Sequence, residues 1–290
     1  MSIGISMTET DLQVLLPFLC NHRIKGQSEV RIDALLRMYL SISMLCCVAS
    51  SCDYLNCNKI IRKMDILYQI MDRTSVNGLC RMYRLVKESA WGVYGKKDEE
   101  CSGLYYRLLD SYLKDPDPGQ ELDVLRCIAY ELGNVMGDNT ELDYYPFYRA
   151  KCGQWVGELD TKGCWRRLPQ EIAVRRIELL QNYSDAFRDD RFHDAVLRAY
   201  NYYKKRLVLP ENAVAEQLPL LTAWYDLLRI SGAFPCEHDL PKRIAGLIEG
   251  VANTVETRTD TWYLATSYAV EQCCSDIMDR VQHEIMQEAE

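Results

Sequence analysis

The segment from Tyr183 to Val196, YSDAFRDDRFHDAV, carries four carboxylates: Asp185, Asp189, Asp190 and Asp194. On a helix, Asp185/Asp189 and Asp190/Asp194 are i,i+4 pairs and share a face. Carboxylates so placed can share Mg²⁺, which takes oxygen ligands and bridges to phosphates. The same acids suit a plainer task. Asp189 and Asp190 fall where one helix is expected to end and the next to begin, and acids there cap backbone N–H groups and complement the helix dipole.

The Asp185-x-x-x-Asp189 pair resembles one of the two D-x-x-x-D motifs of isoprenoid synthases of the squalene/phytoene type, which are also all-helical. That resemblance implies a Mg²⁺-dependent enzyme acting on a diphosphate, with Asp185, Asp189, Asp190 and Asp194 as the metal-binding set. It covers about twenty residues. The partner motif is missing: near Asp65 the chain reads RKMDILYQIMD, with its acids seven apart. The capping role is therefore preferred.

Other chemistry-bearing residues do not assemble into a site on paper. His193-Asp194 would need further His and Asp ligands, and the only other histidines are His22, His238 and His283. Cys46, Cys47, Cys52 and Cys57 place four thiols close together, but without the C-x-x-C spacing of a zinc knuckle. No G-x-S-x-G, Walker A or G-x-G-x-x-G pattern occurs. Arg198–Arg206, RAYNYYKKR, mixes Tyr with basic residues as a base-stacking surface would. Helical spacing instead turns Tyr200 and Tyr203 to the core and leaves the basic residues in the last turn, where the dipole favours them. Tyr supplies 19 of the aromatic residues and is concentrated in ELDYYPFYRAKCGQW. Tyr buries apolar area yet tolerates a wet rim, so Tyr144, Tyr145, Tyr148 and Trp155 form the candidate partner surface.

The elements that must hold these residues are helices. Gly (15) and Pro (9) are scarce, so punctuation is sparse and elements are long. Apolar stripes mark helices over 58–73 (Ile60, Ile61, Met64, Leu67, Tyr68, Met71), 99–114, 190–207 and from about 260. Weaker patterns cover 9–22, 28–50 (opened by Ser28), 76–94, 120–137, 145–159, 169–187, 211–231 and 240–256. Pro169 and Pro210 read as first-turn prolines, Gly78 and Gly232 as punctuation, and Pro116 and Pro118 as a stop. No segment alternates with period two between turn signals.

Bulk properties bound the rest. No stretch approaches the ~18 apolar residues that span a bilayer, and the N-terminus lacks the basic start of a signal peptide. Thirteen cysteines, an odd number, then predict reduced thiols in a cytoplasm. The net charge of −8 argues against nucleic acid as a partner. It alternates along the chain: +5 over residues 1–97, −9 over 98–145, +5 over 146–210 and −9 over 211–290.

The sequence thus predicts an all-α protein, an irregular array of about twelve helices in one domain, with a possible seam at 138–146. The expected role is a non-catalytic cytoplasmic interaction module that binds another protein and needs no cofactor. The Mg²⁺-dependent diphosphate enzyme is the alternative.

Overall fold

The computed structural model describes residues 7–48, 55–88, 98–132, 145–187, 190–230 and 239–288. They form twelve α-helices and no strand. In chain order these are α1 (Glu9–Asn21), α2 (Glu29–Val48), α3 (Cys57–Ile70), α4 (Val76–Glu88), α5 (Asp98–Lys114), α6 (Glu121–Leu132), α7 (Tyr145–Glu158), α8 (Gln170–Phe187), α9 (Asp190–Lys204), α10 (Leu218–Ile230), α11 (Asp239–Thr254) and α12 (Asp260–Glu288). The all-α assignment and the number of helices agree with the sequence reading.

Short polar side chains begin the helices, since the first N–H groups of a helix lack internal partners. Thr8 and Asp11 form a reciprocal capping box at α1, with the Thr8 N–H donating to Asp11 Oδ2 at 2.8 Å. Ser28 accepts the Arg31 N–H, Asn56 that of Lys59, Ser75 that of Gly78 and Thr259 that of Trp262. Lys114 is the last residue of α5, just before Pro116 and Pro118.

Two boundaries differ from expectation. The helix sought over 211–231 begins later, as a short 3-10 turn (Ala215–Gln217) followed by α10, so Pro210 lies in the preceding loop and Pro219 takes the first-turn position. Gly78 does not punctuate; it sits in the first turn of α4, where a Cβ would lie 1.9 Å from the Asp72 carbonyl oxygen. Gly232 lies outside the described residues.

The chain divides into two compact units, residues 1–106 with 245–290, and residues 107–244. The division falls within α5 and α11. The expected seam lies inside the second unit, with 138–144 outside the described residues.

In the first unit α2 is the spine, packing along α12, α3 and α4. Its ladder to α12 ascends both helices together: Arg31 pairs with Asp260 at 2.6 Å, and Arg37 with Glu271, so the two run parallel. The Arg37 guanidinium also lies 3.9 Å above the Tyr268 ring, a cation–π contact. α1 runs antiparallel to α12, with Glu9 paired to Arg280 at one end and His22 against Tyr263 at the other. The Tyr39 hydroxyl donates to the Leu19 carbonyl at 3.0 Å and fixes the last turn of α1.

The second unit is built around α8, which packs on α6, α7, α9 and α10. Ala173, Val174, Ile177, Leu180 and Tyr183 are buried there. So is Glu178, 1% exposed, whose Oε2 accepts from Arg126 of α6 at 2.6 Å. Asp226 of α10 lies 3.7 Å from the same guanidinium.

Candidate interaction surface

Of the four aspartates of the first motif, three lie among the described residues. Asp185, on the last turns of α8, is exposed and takes the Gln181 amide at 2.7 Å. Asp190 and Asp194 are exposed on the first turns of α9, and Asp189 lies outside the described residues. Asp190 opens α9, where a carboxylate complements the dipole. Among the described residues, no three or more His, Cys, Asp or Glu side chains are placed to hold a metal ion. If these acids only cap and solvate, saturating Mg²⁺ with inorganic diphosphate should leave the melting temperature unchanged. A shift that is lost in the double variant Asp185→Asn, Asp189→Asn would restore the metal reading, because a ligand bound at a hundredfold excess over its dissociation constant stabilises by about 2.7 kcal/mol.

The thiols are only partly assembled. Cys46 and Cys47 end α2 and Cys57 begins α3; Cys52 lies outside the described residues. Burial pushes the Cys46 thiol up, and the adjacent Cys57 thiol adds to the shift. Such thiols are poor nucleophiles. The Tyr–Lys segment of α9 is placed as its spacing predicts: Tyr200 and Tyr203 are buried, and Arg206 stacks 3.5 Å over the half-buried Tyr202 ring.

The Tyr-rich stretch is placed differently from the surface expected of it. Tyr144 lies outside the described residues, and Tyr145 begins α7. Tyr148 and Trp155 are 0% and 1% exposed. They occupy positions i and i+7 of the face of α7 that packs on α8. The Tyr148 hydroxyl donates to the Leu179 carbonyl at 2.6 Å, and the Trp155 carbonyl accepts the Trp165 indole N–H at 2.7 Å. Arg176 stacks 4.8 Å from the Trp155 ring and pairs with Glu158. These two aromatics are core, and the Tyr148 hydroxyl finds its partner inside the unit, which removes its need for a wet rim. The opposite face of α7 is small and basic. Pro146, Arg149, Ala150, Gly153 and Val156, with Arg191 and Phe192 of α9, line a shallow groove of about 510 Å³.

A second set of uncovered apolar side chains lies in the first unit. α1 has apolar residues around most of its girth. Leu12, Leu16 and Leu19 face the core, whereas Val14 is 74% exposed and Leu15 and Phe18 are half-buried. This second face forms one wall of a groove of about 450 Å³. Ala252 and Asn253 of α11 form the other wall, and Trp262, Thr266 and Ala269 of α12 the floor. Trp262 meets Phe18 edge-on, with ring centroids 6.1 Å apart. Arg258, in the turn before α12, lies 5.6 Å over the Phe18 ring and holds φ 67°. A side-chain-bearing residue in that left-handed region is strained.

The groove is polar at its ends, with opposite signs. Asp11 and Glu249 stand at the end near Met7, and Glu249 accepts the Met7 backbone N–H. Burial raises the Glu249 carboxyl above its ordinary value, and the Asp11 charge adds to the shift. The Cys273 thiol, pushed up to about 12 mainly by burial, also senses Asp276, Glu9, Asp11 and Glu249. At the other end, burial pushes the His22 imidazole down, and Lys63, Arg258 and Arg31 push it further the same way.

Because the folded pKa of Glu249 is raised, its protonated form is favoured by folding. That contribution is complete below the ordinary value of 4.5 and is lost as pH rises through the raised value. Glu249→Gln keeps the acceptor for the Met7 N–H and has no charge to bury. It should melt at or above the parent temperature near neutral pH, and the gain should vanish near pH 4. A lower melting temperature than the parent at neutral pH would show that the charge is not a burden to the fold.

Sequence inspection missed this groove, although it carried one signal: Leu12, Val14, Leu15, Leu16, Phe18 and Leu19 are too many apolar residues for the single buried stripe of a surface helix. Among the described residues no helix is long and apolar enough to cross a membrane. No family model, no curated protein and no solved structure matches the chain.

Proposed function

We propose that the chain is a non-catalytic protein-interaction module of the cytoplasm, and that the groove between α1, α11 and α12 is its docking surface. One observation carries this reading: Val14, Leu15, Phe18 and Trp262 line an open groove instead of closing into their own core. Apolar surface left wet is unfavourable by about 25 cal/mol per Å², so covering these side chains with a partner would be favourable. The arginine in strained backbone at the rim supports the reading, since such strain gathers at ligand clamps. A cytoplasmic setting is supported by the thirteen cysteines, of which the ten with described side chains are free thiols.

The test is site-specific photo-cross-linking in the native cell extract. A cross-linker replacing Val14 should give a discrete adduct that Leu15→Asp abolishes. The same group replacing Val208, 83% exposed in the second unit, should not give it. Identical adducts from both positions, or an adduct indifferent to Leu15→Asp, would remove the groove as the docking surface.

A further inference from the structure

We infer that the occupant of this groove is an amphipathic α-helix of a partner protein, lying parallel to α1, with Lys or Arg in its first turn and its C-terminal end at Arg258. The inference rests on the docking reading above and adds the chemistry and direction of the partner. Shape gives the first part. The lining follows α1 at Asp11, Val14, Leu15 and Phe18, one continuous helical face, with Met7 just ahead of the helix. At 1.5 Å per residue the helical part of that wall, from Asp11 to Phe18, is about 10 Å long, or about two turns of helix. The other wall and the floor are helices too, so the slot is helix-sided, with an apolar middle built from Val14, Leu15, Phe18, Trp262 and Ala269. This is the geometry by which an apolar helix face seats on i, i+3/i+4 and i+7 anchors.

Charge gives the direction. A helix carries about half a positive charge at its N-terminus and half a negative charge at its C-terminus. The groove offers the complement. Asp11 and Glu249 lie at one end, with Glu9 close by, although Glu9 is already paired with Arg280. Arg258 lies at the other end. Glu249 is half-buried, and its carboxylate accepts an uncharged N–H, that of Met7. An incoming ammonium or guanidinium at that end would meet two carboxylates in a partly dry setting, where a charge-assisted hydrogen bond is strongest.

The test uses two synthetic peptides of about fourteen residues, with leucines spaced three and four apart. One has two lysines in the first turn and two glutamates in the last; in the other the charges are exchanged. The exchanged peptide has the better helix of its own, because its charges suit its dipole. A preference for the first peptide therefore cannot come from helicity. Titration calorimetry with the whole chain should show the lysine-first peptide binding at least about tenfold tighter, equivalent to about 1.4 kcal/mol. Glu249→Gln and Arg258→Gln should each erode that ratio. Equal binding of both peptides, or preference for the exchanged one, overturns the proposed charge and direction. If Leu15→Asp still abolishes both, the docking reading stands alone. Binding of neither peptide at millimolar concentration overturns the helical occupant. A groove indifferent to Leu15→Asp overturns the docking reading as well.

Discussion

Trp155→Ala should lower the stability of the second unit by about 3–5 kcal/mol, the range for removing a large buried aromatic side chain. Three features place it at the upper end of that range. The ring is 1% exposed. The residue anchors the Trp165 indole through its backbone carbonyl, so a shift of α7 also loosens that contact. Arg176 stacks on the ring while paired with Glu158, and would lose its apolar support. Chemical denaturation followed by circular dichroism is the measurement. A loss below about 1 kcal/mol would show that the side chain is exposed in solution and would return Trp155 to the candidate partner surface.

Arg126→Met should be comparably damaging for an electrostatic reason. Glu178 is 1% exposed and depends on the Arg126 guanidinium at 2.6 Å; among the described residues its other oxygen, Oε1, accepts no hydrogen bond. Removing the cation leaves a buried carboxylate without its partner, at a cost of about 3–5 kcal/mol. The double variant Arg126→Met, Glu178→Leu should recover most of that loss, because a well-packed apolar pair often matches a buried ion pair. Asp226, 3.7 Å from the same guanidinium, limits the recovery, since it too would lose the cation. A double variant no better than Arg126→Met alone would mean that Glu178 is not the group stranded by the single change.

Helix positions were legible because the signals are local. Ser28, Asn56, Ser75 and Thr259 cap their helices through their own side chains, and the apolar stripe of α3 repeats at helical spacing. The late start of α10 was not legible, because Pro210 and Pro219 both suit a first turn and only the surrounding packing selects between them. Composition misled at Tyr148 and Trp155. The segment is rich in residues that favour interfaces, but the partners of the Tyr148 hydroxyl and the Trp155 carbonyl lie 31 and 10 residues away, beyond any short pattern. The groove was hidden for the opposite reason. Val14 and Leu15 look like ordinary core residues, and nothing near them in the sequence says that α11 stands apart and leaves them uncovered. Its charged ends come from Asp11, Glu249 and Arg258, drawn from opposite ends of the chain.

The parallel pairing of α2 with α12 has a consequence for synthesis on the ribosome. Arg31 and Asp260 are 229 residues apart. At about 5–20 residues per second, α2 waits roughly ten to fifty seconds for the helix that covers it. Throughout that interval the whole of the second unit is made, and its helices can pack on one another. The buried face of α2, including Leu35, Leu36, Met38 and Ile42, meanwhile lacks its main cover. The nascent chain thus passes through a stage in which an inserted unit has its complete sequence and the unit enclosing it does not. Premature termination before residue 260 would release a chain whose α2 lacks α12, its main cover.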